Sequence, residues 1–341
     1  MSRGGVLVVW LVTVLAVPGL GAPARPPWPS AAAVVAAMLT APALVDYEGT
    51  KVLSAVRGDR AESVTALESY KRLGKLRLEF LSPESVSGRL IVDDGASSWQ
   101  YEPSYHLVIR GPSFLRPPGS PAQAQDIFRG YLVAVLGAEE VIGRQTIVVA
   151  MEPRAGGAGR RYWVDQATGA VLRMEERDAT GEIVFTSFFT RISFGLNLPS
   201  ALFRFHLPAG ARIISLFLSG DPVDSPAALR RQSGFGAAMP ASLSYGYRFR
   251  DGTVSRYGAL ATSAATYTDG MRALTVYQTP SSKMAFPRVG MPVKLEAAEA
   301  RLLDLGYVRV LIWQWRGITY ALAGSLPAAA LIVIADEMTS R

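Results

Sequence analysis

Between Tyr162 and Val184 the chain reads YWVDQATGAVLRMEERDATGEIV, with D-x-A-T-G and then D-A-T-G about a dozen residues apart and alternating side chains between them. Val171, Arg173, Glu175 and Arg177 fall on one parity and Leu172, Met174 and Glu176 on the other, which is the period of a β-strand. Each Gly stands where a tight turn needs a residue tolerant of positive φ, and the Asp and Thr before it can hydrogen-bond the turning backbone. The segment therefore predicts three antiparallel strands. Tyr162 and Trp163 at its entry and Phe185, Phe188 and Phe189 at its exit supply one face with apolar bulk.

The same alternation governs much of the chain. In KLRLEF, Leu76, Leu78 and Phe80 share one face and Lys75, Arg77 and Glu79 the other. Strands are also expected at Tyr47 to Arg57, Ser63 to Lys71, Ser87 to Val92, Ser97 to Tyr101, Tyr105 to Ile109 and Val141 to Met151. Two helices interrupt them: Ser30 to Leu44, with Ser30 as N-cap and Pro42 near the end, and Gln125 to Leu136, with Ile127, Tyr131 and Val135 or Leu136 on one stripe. About ten antiparallel strands are too many for a flat sheet and predict one that curls strongly or closes into a half-barrel, covered by the helices. A face lined by Leu76, Leu78, Phe80, Trp99, Tyr131 and Val135 has the form of an apolar-ligand cavity. The alternation fits a plain packed core equally well.

From Phe203 to Pro240 the pattern gives way to Pro, Gly, Ser and Ala, so 213–239 is read as a linker with a short helix at Pro226 to Gln232. The chain is expected to divide into a domain at 30–212 and a smaller α+β domain at 240–341. In the latter, Leu243 to Arg250, Ala273 to Thr279, Tyr307 to Trp315 and Ile318 to Gly324 read as strands and Pro327 to Met338 as a closing helix. The fold class is α+β throughout.

Ahead of all this, Arg3 precedes the uncharged run Val6 to Val17, and small residues follow a Pro-Gly break, so 1–24 reads as a cleavable signal peptide. Export to the periplasm or another extracytoplasmic space follows. The chain has no Cys, which removes disulfides, thiolate metal sites, Cys nucleophiles and a lipidated N-terminus together. Its net charge of +7 comes from scattered Arg, without the aromatic interleaving that nucleic-acid binding requires.

Catalytic constellations are sparse. The two His, His106 and His206, sit in structural-looking strands, and no G-x-S-x-G elbow occurs. Asp93-Asp94-Gly95 reads as a turn. Glu139-Glu140 and Glu175-Glu176 are adjacent on strands, so each pair points to opposite faces and is read as solvated charge. RAGGAGRR at Arg154 to Arg161 is expected as a hairpin loop whose Arg could attract an anionic headgroup, and Trp313 and Trp315 as core residues. Neither a cofactor nor a metal is called for, and the expected function is binding.

The YEGT near Tyr47, the KLRLEF strand, the WVDQATGAVLRMEERDATGEIV meander and the ending ITYALAGSLPAAALIVIADEM resemble the MucB/RseB family of envelope-stress regulators. The resemblance spans roughly Ser30 to Met338; its W-x-D-x-x-T-G-x-x-x-R portion is shared with the wider lipoprotein-carrier superfamily. It implies a first domain similar to the carriers LolA and LolB. It further implies a periplasmic sensor that binds the extracytoplasmic part of a membrane-bound anti-sigma factor, shields it from proteolysis, and releases it when a lipid or lipopolysaccharide-type ligand binds. A LolA-like lipoprotein carrier and, from another class, an exported hydrolase are the alternatives.

Overall fold

The computed structural model describes residues 28–57, 60–115, 121–154, 156, 158–178, 180–216, 220–257, 260–281, 286, 289–304 and 308–340. The segment 1–24, most of the Pro-rich loop before Pro121, and Tyr307 at the head of an expected strand lie outside them. In the first half of the chain come α1 (Ala31–Leu44), β1 (Tyr47–Arg57), β2 (Arg60–Lys71), β3 (Lys75–Ser82), β4 (Leu90–Asp93), β5 (Ser97–Glu102), β6 (Leu107–Pro112), α2 (Pro121–Gly130), β7 (Tyr131–Val141), β8 (Arg144–Pro153), β9 (Gly159–Asp165), β10 (Val171–Arg177), β11 (Ile183–Phe194) and β12 (Arg212–Ser215). They form one sheet in the order β12-β6-β5-β4-β3-β2-β1-β11-β10-β9-β8-β7.

The meander is β9, β10 and β11, antiparallel throughout. Its two turns are built alike. Asp165 Oδ2 accepts the Thr168 amide and hydroxyl, and Asp178 Oδ1 accepts the Thr180 amide and hydroxyl, ahead of Gly169 at φ +74° and Gly181 at φ +90°. Their surroundings differ: a Cβ on Gly169 would stand 2.6 Å from the Ala37 carbonyl of α1, whereas Gly181 faces open space. The first turn is thus where the meander meets the helix. Ser30 caps α1 by accepting the Ala33 amide at 3.2 Å, and at its far end the Pro42 carbonyl accepts the Leu73 amide and the Tyr70 hydroxyl.

One expectation fails here. The stripe at Tyr131 and Val135 lies on a strand, because α2 ends at Gly130 and β7 starts at Tyr131. Tyr131, Val133 and Val135 point inward while Leu132 and Leu136 are exposed. An unbroken apolar run satisfies helical and strand periods alike, and the β-branched Val residues together with pairing to β8 decide for the strand.

The remaining elements are α3 (Pro226–Ser233), β13 (Ser242–Leu243), β14 (Tyr247–Tyr257), β15 (Leu260–Thr268), β16 (Ala273–Pro280), β17 (Met291–Lys294), β18 (Glu299–Asp304), β19 (Arg309–Trp315), β20 (Ile318–Gly324) and α4 (Ala328–Thr339). The strands make a second, antiparallel sheet in the order β13-β14-β15-β16-β20-β19-β18-β17. The chain is mostly sheet with few helices. β15 escaped the sequence reading because its inward residues, Ala261, Ser263, Ala265 and Tyr267, are mostly small and partly polar.

The stretch 213–239 is packed rather than loose at several points. β12 pairs in parallel with β6, and Leu229 of α3 is fully buried against β14, where a Cβ on Gly252 would run into it. Ala237 and Met239 are buried in the core of the second sheet. Composition registered the Pro, Gly and Ser of this stretch but not the few apolar anchors spaced among them.

Candidate functional site

Directly opposed residues in a sheet share a face, so register shows which expected site residues meet. Leu78 is opposite Ile91, Ile91 opposite Gln100 and Gln100 opposite Ile109. On the other side Phe80 is opposite Ala66, Ala66 opposite Lys51 and Lys51 opposite Phe189. Tyr162 is opposite Val149 and Val149 opposite Val135, and α1 and α2 cover this part of the same face through Val34, Val35 and Ile127. Leu76, Leu78, Phe80, Tyr131 and Val135 therefore all point to the inner face.

Trp99 does not. It is opposite Val92 and Arg110, on the outer face, where it stacks on Phe205 at 5.2 Å beneath the Arg110 guanidinium. In β5 the burial alternates so that Ser98, Gln100 and Glu102 are the buried residues. An aromatic residue in an amphipathic strand was assigned to the apolar face; here the chain after β11 folds back over the outer face and supplies a second apolar surface there.

Nor do the five inward residues form one patch. Leu78 and Phe80 pack with Ala66, Ile91, Val86 and Phe114, whereas Tyr131 and Val135 belong to the layer under α1 and α2 with Met151 and Tyr162. Between them runs a polar belt. Lys51 Nζ lies 2.5 Å from Glu68 and over the Phe189 ring, Glu68 also accepts the Tyr47 hydroxyl at 2.8 Å, and Tyr47 stacks on Tyr70. Burial pushes the Tyr70 phenol up to about 12.

At the edge of the helix-covered patch the two sheets meet. The turn between β15 and β16 brings Asp269 to the Tyr131 hydroxyl, which donates to Asp269 Oδ2 at 2.7 Å. Arg160 of β9 donates to the same hydroxyl at 3.0 Å and lies 3.5 Å from Asp269 and 3.8 Å from Glu176. Arg272 donates to Glu176 across the junction. Burial pushes the Asp269 carboxyl up, but Arg160 and the hydrogen bonds from Arg272 and Tyr131 outweigh it and leave it below the usual carboxylate range.

This cluster corrects two sequence expectations. Glu175 and Glu176 are buried, not solvated, Glu175 holding Arg173 and Arg177 on one face and Glu176 holding Arg272 on the other. Arg160, assigned to a hairpin loop with an anion to attract, is a buried strand residue with carboxylate partners inside the chain. Thr268-Asp269-Gly270 was legible as a turn but was not read as one, and nothing local marks it as a contact with residues more than a hundred positions away.

A cleft of about 680 Å³ opens between the sheets beside this junction. Ser98, Gln100 and Phe114 line one wall and Thr253, Thr275 and Tyr277 the other. His106 braces the first sheet: it sits at φ +47° before β6, with Nδ1 3.2 Å from the Tyr101 hydroxyl and Nε2 3.0 Å from the Ala209 carbonyl. Asp93 and Asp94 shape the β4–β5 turn by accepting the amides of Gly95, Ala96 and Ser97. Trp313 is buried and stacked on Tyr320 in the second core.

Comparison with known proteins bears on this arrangement of sheets. The structure of the Pseudomonas aeruginosa MucA/MucB complex contains a chain similar to this one at 17% identity and a TM-score of 0.51, covering 89% of this chain and 96% of that one. A crystal structure of MucB is similar at 16% identity and a TM-score of 0.55, covering 90% and 96%. A LolA-superfamily protein of Nitrosomonas europaea matches at 14% identity and a TM-score of 0.29, covering 52% of this chain and 99% of that one. No curated protein sequence matches. Residues 30–204, more than half of the chain, match the model of the MucB/RseB N-terminal domain, and the chain belongs to the MucB/RseB family.

Proposed function

We propose that this chain is an exported, non-enzymatic envelope-stress regulator that holds the extracytoplasmic part of a membrane-bound anti-sigma factor and releases it when a lipid or lipoprotein-type ligand binds. In this reading residues 1–24 are removed on export, and 30–212 form a strongly curled, LolA/LolB-like half-barrel that takes the apolar ligand on its inner face. Residues 240–341 form a second domain that contacts the partner together with the first, the two being joined through 213–239. The observation that carries the reading is that the likeness to MucB runs through both sheets over about nine-tenths of the chain. One of those relatives is named in complex with MucA, and the second sheet is what a carrier built from the first alone would lack.

The test is capture on the immobilised extracytoplasmic segment of the anti-sigma factor from the same organism. The chain is expected to bind it and to be eluted by lipopolysaccharide or phospholipid vesicles. A chain that takes up a fatty-acid probe yet never binds that segment would be a carrier, and the regulatory reading would fall.

A further inference from the structure

The turn from Thr268 to Arg272 is fitted to the first sheet by shape as well as by charge. A Cβ on Gly270, at φ +94°, would stand 3.1 Å from the Asp126 carbonyl carbon and 3.2 Å from the Ile127 nitrogen, so the turn rests directly on the backbone of α2. A Cβ on Gly130 would stand 3.1 Å from the Asp269 carbonyl oxygen. Met271 packs against the apolar layer between the helices and the sheet, and Asp269 meets Tyr131 and Arg160. The second sheet thereby covers the end of an apolar layer that the first sheet and its two helices leave open.

Three features mark this contact as one that can come apart whole. The turn carries its own scaffold, since Asp269 Oδ1 accepts the amides of Met271 and Arg272 at 2.7 and 2.6 Å and Thr268 accepts that of Gly270. The first sheet keeps its own countercharge when the turn leaves, because Arg160 stays beside Glu176. The docked state is also incompletely satisfied: Arg160 Nε and the Tyr247 hydroxyl, both buried, have no hydrogen-bond partner among the described residues. A void of about 60 Å³ lined by Tyr131, Arg160, Tyr247 and Asp269 lies beside them. Ion pairs taken out of water gain little over their hydrated state, so at the turn itself Met271 supplies the main apolar resistance to withdrawal; the sheets also meet elsewhere, where Leu107 and Ile109 of β6 pack on Leu303 and Val310 and give the movement a pivot.

We propose that the β15–β16 turn is a removable plug: seated, it seals the end of the apolar layer beneath α1 and α2, and withdrawn, it admits an acyl chain between helices and sheet. This rests on the apolar-ligand role proposed for the inner face. Ligand uptake and the seated arrangement of the two sheets are then mutually exclusive, and occupancy is converted into movement of the second sheet.

The chain has no Cys, so Gln125→Cys and Glu299→Cys, both at exposed positions on either side of the junction, place two spin labels without ambiguity. Distances are measured on the full chain and on the same chain carrying Asp269→Asn or, independently, Met271→Ser, with circular dichroism to check the fold. A seated plug gives one distance. Each variant is expected to raise a longer-distance population about tenfold and to tighten binding of 11-(dansylamino)undecanoic acid by the same factor, because apparent affinity scales with the competent fraction. A folded variant of either kind with the parent's distances overturns the plug. A longer-distance population that rises while probe affinity stays at the parent's value overturns the apolar-ligand reading and leaves the hinge standing.

Discussion

The eight-stranded sheet gathers Trp313, Tyr320, Leu331 and Ile334 with Leu229 of α3 into one continuous core, whereas the twelve-stranded sheet divides its inner face: the patch under α1 and α2 is separated by Lys51 and Glu68 from that of Leu78 and Phe80, and a third, at Leu107 and Ile109, packs on the second sheet. A continuous core links every strand to every other, so it is lost or kept as a unit. A divided one lets part of a sheet open while the rest holds, and regions of low local stability are those from which binding elements are drawn. The contrast assigns rigidity to the second sheet and adaptability to the first.

The largest effects should come from the cores. Trp313→Ala, at a fully buried position stacked on Tyr320, is expected to cost roughly 3–5 kcal/mol and to lower hydrogen-exchange protection across the whole second sheet. Phe80→Ala should cost a similar ~3–5 kcal/mol, with the loss confined to β2–β4 while β8–β10 stay protected. Protection that falls evenly over the first sheet would erase the contrast.

Next comes the belt that makes the division. Lys51→Met leaves the buried Glu68 with, among the described residues, only the Tyr47 hydroxyl and should cost about 3 kcal/mol in urea denaturation. Adding Glu68→Leu removes the stranded charge, so the double variant should recover most of that loss and fuse the two patches. Recovery of less than half would mean that the belt stabilises the sheet rather than merely partitioning it.

Much of this was legible beforehand, and the failures have a common cause. Alternation in KLRLEF and in the meander placed β3, β9, β10 and β11, and Ser30 and the D-x-A-T-G and D-A-T-G turns announced their own geometry, because each depends on neighbours within a few residues. Glu176, Arg160 and Trp99 were misread because their environments are made by distant segments: Arg272 for Glu176, Asp269 for Arg160, and Phe205 over a face that alternation alone would leave to water. Of the expected site, strand parity grouped Leu76, Leu78 and Phe80, whereas Tyr131 and Val135 were grouped by a helical stripe that the structure replaces with a strand. The belt that splits the site was not readable, since Lys51 and Glu68 in isolation read as exposed polar positions.

Within the first sheet, a smaller comparison separates the two meander turns. Gly169→Ala and Gly181→Ala both pay about 1–2 kcal/mol for a left-handed backbone. Gly169→Ala should cost more in thermal unfolding, since its new Cβ meets the Ala37 carbonyl while that of Gly181 meets nothing. Equal costs would show that α1 gives way freely.

The smallest effects are those of pH, and they carry opposite signs at two carboxyls. Asp269 is held below its ordinary value of 3.8, so the stability it contributes is present above that value and is lost as pH falls through the lower folded one. Asp93 is raised from 3.8, chiefly by burial, against the amides that hold it; its contribution favours the fold at low pH and is lost as pH rises through the folded value. Urea midpoints of Asp269→Asn and Asp93→Asn between pH 3 and 6 should therefore diverge from the parent in opposite directions.

β12 has a consequence that belongs to mechanics. It joins the first sheet through only four paired positions, Arg212 to Leu107 through Ser215 to Arg110, and the chain runs on from it toward the second sheet. Tension drawing the two sheets apart would load this short ladder before the eleven paired positions of β1 with β2. With its side chains exposed and little apolar area to hold it, β12 would yield first, adding slack between the two sheets while the longer ladders of the first sheet stay intact.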